Sequence, residues 1–181
     1  YSYYYMLMAR KNLDQPLGDA KNTLIKFNEK IASKYRAGLS LKYLDKYLQK
    51  NIVPQSIQQF YRLNQEKKVS EVDFESILKR KSSEDINWFF KTIIHSRKIV
   101  DYKFSDVSKT NDSITFTIKN KTNTSVPIPV YGLNNNQVVF KKWYSGISTD
   151  STFTVARKNV NKIVLNYENE VPEFNLRNNW K

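Results

Sequence analysis

The sequence predicts an α+β protein in which a helical bundle precedes a small antiparallel β-sandwich. Up to about residue 98, apolar residues recur at every third or fourth position, which is the period of an amphipathic α-helix. Beyond that point apolar and polar residues alternate, as they do along a strand that buries one face. We therefore expect two domains, a helical segment at residues 1–98 and a β-sandwich at residues 99–181.

Several helices are predicted in the first domain. A long helix is expected over residues 28–47, and the apolar spacing over residues 57–63 indicates another. Ser70 and Asp73 resemble a capping box at the start of the next helix, with Asp in place of the usual Glu. A last helix is expected to open at Ser83 and to carry an aromatic cluster that is typical of a buried helix face.

Five or six short strands are predicted in the second domain. In residues 113–119 the alternation places Ile114, Phe116 and Ile118 on one face of a strand. Residues 126–131 alternate too, but their two prolines favour an edge strand or a bulged strand. Further strands are expected at residues 137–140, 151–155 and 162–165. This spacing of short strands is typical of a β-sandwich.

Composition and charge exclude several classes of protein. Hydrophobic residues make up 40% of the chain, which argues against disorder, and no run is long and apolar enough for a transmembrane helix. The net charge of +13 is spread along the chain, with 19 basic and 10 acidic residues in 1–98 and 11 and 7 in 99–181. No nucleic-acid recognition motif accompanies this charge. A solvated basic surface is our main interpretation, and a non-specific nucleic-acid binder is the alternative.

Motifs for an active site within this chain are absent. The chain has no cysteine and one histidine, His95, with no further His or carboxylate within one helical turn, so we interpret it as a helix-end or surface residue. There is no G-x-S-x-G turn, and four glycines form no phosphate-binding loop. The loop at residues 13–18, LDQPLG, is interpreted as a structural turn in which Asp14 caps or bridges locally, although such a loop can also line a cleft.

Five motifs, taken in order, resemble the aminopeptidase-N type of gluzincin metallopeptidase, and especially its large bacterial cell-envelope members. That family carries an L-D-Q-P step, a helix of the form Y-x-K-x-A-L-x-L-x-Y-L, a D-x-x-W-F-F motif, and a small β-domain that closes on Asn-Asn. The corresponding segments here are LDQP at 13–16, KYRAGLSLKYL at 34–44, DINWFF at 85–90, VDYKF at 100–104 and EFNLRNNW at 173–180.

The resemblance implies a thermolysin-like fold and a zinc site that lies outside this chain. In the family, two histidines of an H-E-x-x-H helix and a downstream glutamate bind zinc, and the motif glutamate activates water. No such motif occurs in these 181 residues, and the chain opens inside an apolar run, YSYYYMLM. We therefore expect a C-terminal fragment that binds no metal and is inactive alone. An upstream part of the same polypeptide would carry the zinc, and a periplasmic or cell-envelope location is implied.

One catalytic residue type of the family falls within the chain, a tyrosine that hydrogen-bonds the tetrahedral oxyanion. Aligning Arg36 with the family's lysine places Lys34 where this tyrosine belongs and displaces Tyr35 by one residue, about 100° around a helix. Tyr35 is the candidate for the oxyanion donor if a small irregularity restores its direction, and Lys34 is its positional rival. Otherwise the protein is a catalytically degenerate scaffold.

Two alternatives come from other functional classes. The chain is either a peptidase fragment that acts on peptides, a non-catalytic module whose sandwich face binds protein or glycan, or a nucleic-acid binder driven by charge. The residues preceding Tyr1 distinguish the first from the others, because a zinc motif there would make the whole protein an enzyme.

Overall fold

The computed structural model describes residues 2–181 and confirms the α+β class. Helical elements extend to residue 94, and six strands in two antiparallel sheets follow. The chain divides into two compact units, of which one ends at Arg97 and the other begins at Lys98. No helix of the described residues is both long and apolar enough to cross a membrane.

Four α-helices and three shorter helical turns build the first unit. The α-helices are α1 (Ser2–Arg10), α2 (Ser33–Leu48), α3 (Ile52–Leu63) and α4 (Glu71–Lys81). The shorter elements are a 3₁₀ turn (Lys21–Thr23), a first π-turn (Asn28–Ala32) and a second π-turn (Phe89–Ile94). Helix α2 buries Tyr43, Leu44 and Leu48.

The start of α4 confirms the predicted capping box. The Asp73 carboxylate accepts hydrogen bonds from the Ser70 backbone N–H and hydroxyl, both at 2.8 Å, and the box is complete. These bonds lower the pKa of Asp73, chiefly through the backbone N–H. Helix α4 packs against α3 with the Phe60 and Phe74 rings edge to face at 5.5 Å. The two helices therefore form a hairpin.

The helix around the aromatic cluster starts later than predicted. It was expected to open at Ser83, but helical structure begins only at Asn87, because the Asp85 carboxylate accepts the Asn87 N–H at 2.9 Å and forms a turn there. Trp88 packs on Tyr43, with ring centroids 4.9 Å apart. Phe89 is fully buried, so the interpretation of this cluster as core is confirmed.

The second unit is a sandwich of two three-stranded antiparallel sheets. The first sheet has the order β1-β2-β5 and the second has the order β4-β3-β6. The strands are β1 (Tyr102–Lys109), β2 (Ser113–Asn120), β3 (Ile128–Asn134), β4 (Gln137–Tyr144), β5 (Asp150–Ala156) and β6 (Lys162–Leu165). Strand β2 buries every second residue as predicted. The ring of Tyr144 from the second sheet packs on Phe116 at 5.7 Å and Phe153 at 4.3 Å from the first.

The position of β3 corrects the prediction of an edge strand, because β3 is the central strand of its sheet. Pro129 has no backbone N–H, which any other residue at this position would donate to the Asn166 carbonyl. That carbonyl accepts the Asn169 N–H at 2.9 Å instead, so proline is tolerated in the central strand. The Asn166 N–H in turn donates to the Pro129 carbonyl at 2.8 Å. The strand does carry a bulge, but it lies at Gly132 and Leu133 rather than at the prolines.

A buried carboxylate, Glu173, fastens the C-terminal segment to the sandwich. It accepts hydrogen bonds from the Tyr102 backbone N–H at 3.1 Å and from the side-chain amides of Asn166 and Asn179 at 2.9 and 2.8 Å. Residues 179–181 then pair with β6, and the Lys181 N–H donates to the Ile163 carbonyl at 3.2 Å. Burial raises the pKa of Glu173 to about 7 even though these three donors favour the carboxylate.

The raised pKa of Glu173 predicts that the sandwich loses stability as pH rises. Its unfolded pKa is near 4.5, so the folded state holds the proton more tightly, and the stabilisation present below pH 4.5 is lost as pH rises through about 7. Between pH 5 and 8 the free energy of unfolding should fall by about 1–3 kcal/mol from this group. Glu173→Gln cannot titrate and should lack this part of the slope. Denaturant melts of both proteins across that range measure the difference, and identical slopes would contradict it.

Candidate functional site

The segment that carries the two candidate catalytic residues begins with an irregular helical turn. The first π-turn runs directly into α2, and the N–H of Ser33 donates to the carbonyl of Asn28 five residues earlier. A π-turn holds one residue more than an α-turn and therefore changes the direction of everything that follows it, and such turns are frequent at functional sites. An irregular helical turn is therefore present before α2, and it ends before Lys34.

Tyr35 and Lys34 both lie on the regular part of α2. They are consecutive, so their side chains leave the helix about 100° apart and the structure does not bring them to one point. Tyr35 is partly buried and its ring stacks on Tyr4 of α1, with centroids 5.5 Å apart and planes 18° from parallel. Lys34 is exposed. Of the two, Tyr35 is the one held in a defined aromatic environment.

The next residue, Arg36, anchors this turn of α2 to two distant parts of the first unit. Its side chain is buried and donates to the carbonyl of Gln15 at 2.6 Å, to that of Ile93 at 3.1 Å and to that of Ser96 at 2.6 Å. It also forms an ion pair with Asp14 at 3.4 Å. We call these five residues the Arg36 network. The planar guanidinium suits this task because its five donors can bind several carbonyls at once.

The surroundings of the Arg36 network offset the cost of burying its charges. Asp14 is also buried, and its second carboxylate oxygen lies 3.6 Å from the guanidinium of Arg97. The ring of Tyr5 in α1 faces Arg36, with the guanidinium carbon 5.4 Å from the ring centroid. Burial raises the pKa of Tyr5, and the positive charge of Arg36 opposes that shift. Four parts of the first unit therefore meet at the Arg36 guanidinium, namely α1, the 13–18 loop, α2 and the segment after Phe89.

The LDQP segment is held from a second side by Asn28. The Asn28 amide nitrogen donates to the Leu13 carbonyl at 2.8 Å and to the Gln15 side-chain oxygen at 3.0 Å. The same Gln15 oxygen accepts the Ile25 N–H at 2.7 Å. The interpretation of this loop as a structural turn in which Asp14 bridges is confirmed, since its polar groups bind protein groups on both sides.

His95 follows the second π-turn at its C-terminal end, as a helix-end histidine should, and it is half exposed. Its Nε2 lies 2.6 Å from a carboxylate oxygen of Glu71, and its ring occupies the space that a Cβ at Gly18 would need. Across residues 2–181, no group of three or more His, Cys, Asp or Glu side chains is placed to hold a metal ion. The residues present therefore do not fit a zinc site of the kind found in gluzincins.

Comparison with known proteins supports a likeness of fold. No protein-family model matches the chain, and no curated protein matches it significantly. Among solved structures, it is similar to aminopeptidase A of Legionella pneumophila, solved in complex with aspartic acid, with a TM-score of 0.59. The match has 16% sequence identity and covers 78% of this chain but only 17% of that protein. At such identity the likeness shows that this chain shares its fold with part of that protein and nothing finer.

The Arg36 network predicts a large loss of stability when its central residue is removed. Arg36→Ala leaves the Asp14 carboxylate buried beside a single, more distant cation and removes the guanidinium donors from three carbonyls, and breaking a buried ion pair typically costs about 3–5 kcal/mol. Arg36→Lys keeps the positive charge but lacks the planar, forked set of guanidinium donors. It should therefore lower the free energy of unfolding by less than Arg36→Ala. Denaturant unfolding measures both.

An exposed arginine provides the control for this test. Arg62→Ala on α3 removes the same side chain from the surface and should change the free energy of unfolding by less than about 0.5 kcal/mol. Equal effects of Arg36→Ala and Arg62→Ala would show that the network does not hold the first unit together.

Proposed function

We propose that this chain is the helical and β-sandwich part of an aminopeptidase-N-type metallopeptidase that hydrolyses peptides. The zinc-binding residues would belong to an upstream part of the same polypeptide, and a periplasmic or cell-envelope location follows from the same resemblance. The observation that carries the proposal is the fold likeness to an aminopeptidase over 78% of the chain. The five family-like motifs, which occur in the family's order, support it independently.

In this proposal the Tyr35 hydroxyl donates a hydrogen bond to the oxyanion of the tetrahedral intermediate. Two features support Tyr35 over Lys34. The Tyr35 ring is stacked on Tyr4, and its backbone is fixed by the adjacent Arg36 network. Little conformational entropy is therefore lost when its hydroxyl is held against the oxyanion. Lys34 is exposed on the same helix and would have to lose solvent and rotamer freedom to act.

The test of this role is Tyr35→Phe in the full-length protein. The substitution keeps the ring and its stacking and removes only the hydroxyl, so folding should be preserved while kcat on an aminoacyl amide falls about 10²–10³-fold. Tyr61→Phe, an exposed tyrosine on α3, is the matched control and should retain full turnover. Full activity of Tyr35→Phe together with loss in Lys34→Ala would transfer the role to Lys34.

Metal content provides a second test, on the chain itself. Because the 181 residues offer one histidine and no cysteine, we expect the isolated chain to retain no stoichiometric zinc after dialysis. The full-length protein should retain one zinc per molecule. One tightly bound zinc on the isolated chain would contradict the assignment of the zinc ligands to the upstream polypeptide.

A second candidate function is a non-catalytic module that binds protein or glycan. Exposed apolar side chains on the sandwich favour it, since Trp180 is 43%, Val138 46% and Val139 42% exposed. A full-length protein that folds, lacks zinc and has no turnover would favour this function, with the peptidase fold retained as a degenerate scaffold.

A further inference from the structure

Strand β5 of the sandwich has one paired edge and one free edge. It lies beside β2 at the margin of the first sheet, and within residues 2–181 no strand pairs with its other side. Its inward residues Phe153 and Val155 are only half-buried, whereas their partners on β2, Phe116 and Ile114, are at most 1% exposed. Solvent therefore reaches both the backbone and the apolar flank of β5.

The hydrogen bond at the end of the β2–β5 pair shows which backbone groups of β5 face the free edge. The Arg157 N–H donates to the Asp112 carbonyl at 2.9 Å, and the register of the two strands continues from there without a bulge. Because hydrogen-bonded and non-hydrogen-bonded pairs alternate along antiparallel strands, every second residue of β5 turns its N–H and C=O away from β2. Thr152 and Thr154 are two of these residues, so their backbone groups point to the free edge.

The other two edge strands, β1 and β4, carry features that oppose pairing with a further strand. Strand β1 has a bulge after Phe104, and β4 has one opposite Gly132 and carries Lys141 and Lys142. Bulges, lysines and prolines are the usual protection of a sheet edge. Strand β5 has none of the three, and Asp150 is its single charged residue. An unprotected edge of this kind is a template for the addition of a strand.

We propose that β5 pairs in antiparallel fashion with β5 of a second copy of this chain, which joins two three-stranded sheets into one continuous sheet. In the register that overlaps the two strands fully, Phe153 lies on the two-fold axis. Thr152 of each copy then lies opposite Thr154 of the other, and their outward N–H and C=O groups bind each other in pairs. Such an interface is closed, because the same strand serves on both sides.

The threonines on the outer face of this sheet favour a second copy over an unrelated strand. Within the chain, the hydroxyls of Thr115 and Thr154 lie 2.9 Å apart, and those of Thr117 and Thr152 lie 2.8 Å apart. The proposed register places a threonine opposite a threonine across the new interface as well, on the same face of the sheet. Cross-strand threonine pairs of this kind stabilise an antiparallel sheet.

The charges at the ends of β5 are complementary in the same register. Asp150 lies 3.6 Å from Lys119 of its own β2, and it falls opposite Ala156 of the second copy, two residues before the exposed Lys158. No like charges therefore face each other between the two strands. The inference does not depend on peptidase activity.

The overall charge and the size of the interface set the expected affinity. The net charge of +13 opposes association of two copies, but salt at 0.15 M screens charges beyond about 8 Å. A single pair of strands buries little area, which is typical of a weak interface. We therefore expect a dissociation constant of about 10 µM–1 mM that decreases as salt is added.

Sedimentation equilibrium of the intact protein, at concentrations up to about 1 mM, tests the proposal. Thr154→Pro removes an N–H that faces the free edge and leaves the bonds between β5 and β2 in place, which an edge strand tolerates. Since each copy loses a hydrogen bond to the other, the dissociation constant should rise at least about tenfold. Thr154→Val keeps the N–H and a strand-forming side chain, so its dissociation constant should stay within about threefold of the parent value.

A second pair of variants separates the edge from the rest of the sheet. Thr154→Lys places a positive charge from each copy at the interface and should abolish the dimer, as lysine does on natural edge strands. Thr115→Lys breaks the same hydroxyl contact and adds the same charge, but on β2, one strand away from the edge. It should dimerise nearly as well as the parent protein. Thermal melts establish that every variant is folded.

Three outcomes would overturn the proposal. The first is a parent protein that stays monomeric at about 1 mM in both moderate and high salt. The second is equal dimerisation of the folded Thr154→Pro and Thr154→Val variants, which would place the interface elsewhere. The third is an equal loss of dimer in Thr154→Lys and Thr115→Lys, which would assign the loss to net charge rather than to the edge of β5.

Discussion

The first unit depends on one buried guanidinium. Arg36 binds backbone carbonyls that lie 21, 57 and 60 residues away along the chain, so a single side chain fixes the loop at 13–18 and the segment after the second π-turn against α2. A buried charge is a poor source of stability by itself, because its removal from water must be offset by good geometry. Here the offset comes from Asp14 and from the carbonyls, which gives the arrangement specificity as well as strength.

The β-sandwich likewise has a buried ionisable side chain that joins irregular segments, and here the side chain is acidic. Glu173 gathers N–H donors from the start of β1, from the loop after β6 and from the C-terminal segment, as Arg36 gathers carbonyls in the first unit. In both units a buried ionic side chain forms hydrogen bonds with irregular segments, which lack the regular backbone hydrogen bonds of a helix or a sheet. The two residues differ in consequence, because a carboxylate can titrate near neutral pH when burial is strong, whereas a guanidinium stays charged.

Local patterns in the sequence predicted much of the fold and less of the site. The capping box at Ser70 and the alternation along β2 depend on residues a few positions apart, and both were predicted correctly. The helix start at Asn87 was missed because one carboxylate formed a turn first, and β3 was misplaced because Asn169 replaces the N–H that Pro129 lacks.

The role of Arg36 was not predictable from its neighbours. Three of its acceptors are backbone carbonyls, which carry no sequence signal, and all four of its acceptors, Asp14 included, lie more than 20 residues away. The same limit applies to Tyr35. The sequence resemblance identified it as a candidate, but the resemblance does not specify which way a side chain on α2 points, and the π-turn before it changes that direction relative to the preceding loop.

The proposed oxyanion role of Tyr35 can be tested by a structure of the full-length protein bound to a phosphinic peptide, whose tetrahedral oxygens mimic the oxyanion. We expect a zinc ion held by residues upstream of Tyr1 and the Tyr35 hydroxyl about 2.6–3.2 Å from a phosphinate oxygen. A phosphinate oxygen contacted by Lys34 instead, or a Tyr35 hydroxyl more than about 6 Å from every phosphinate oxygen, would contradict it.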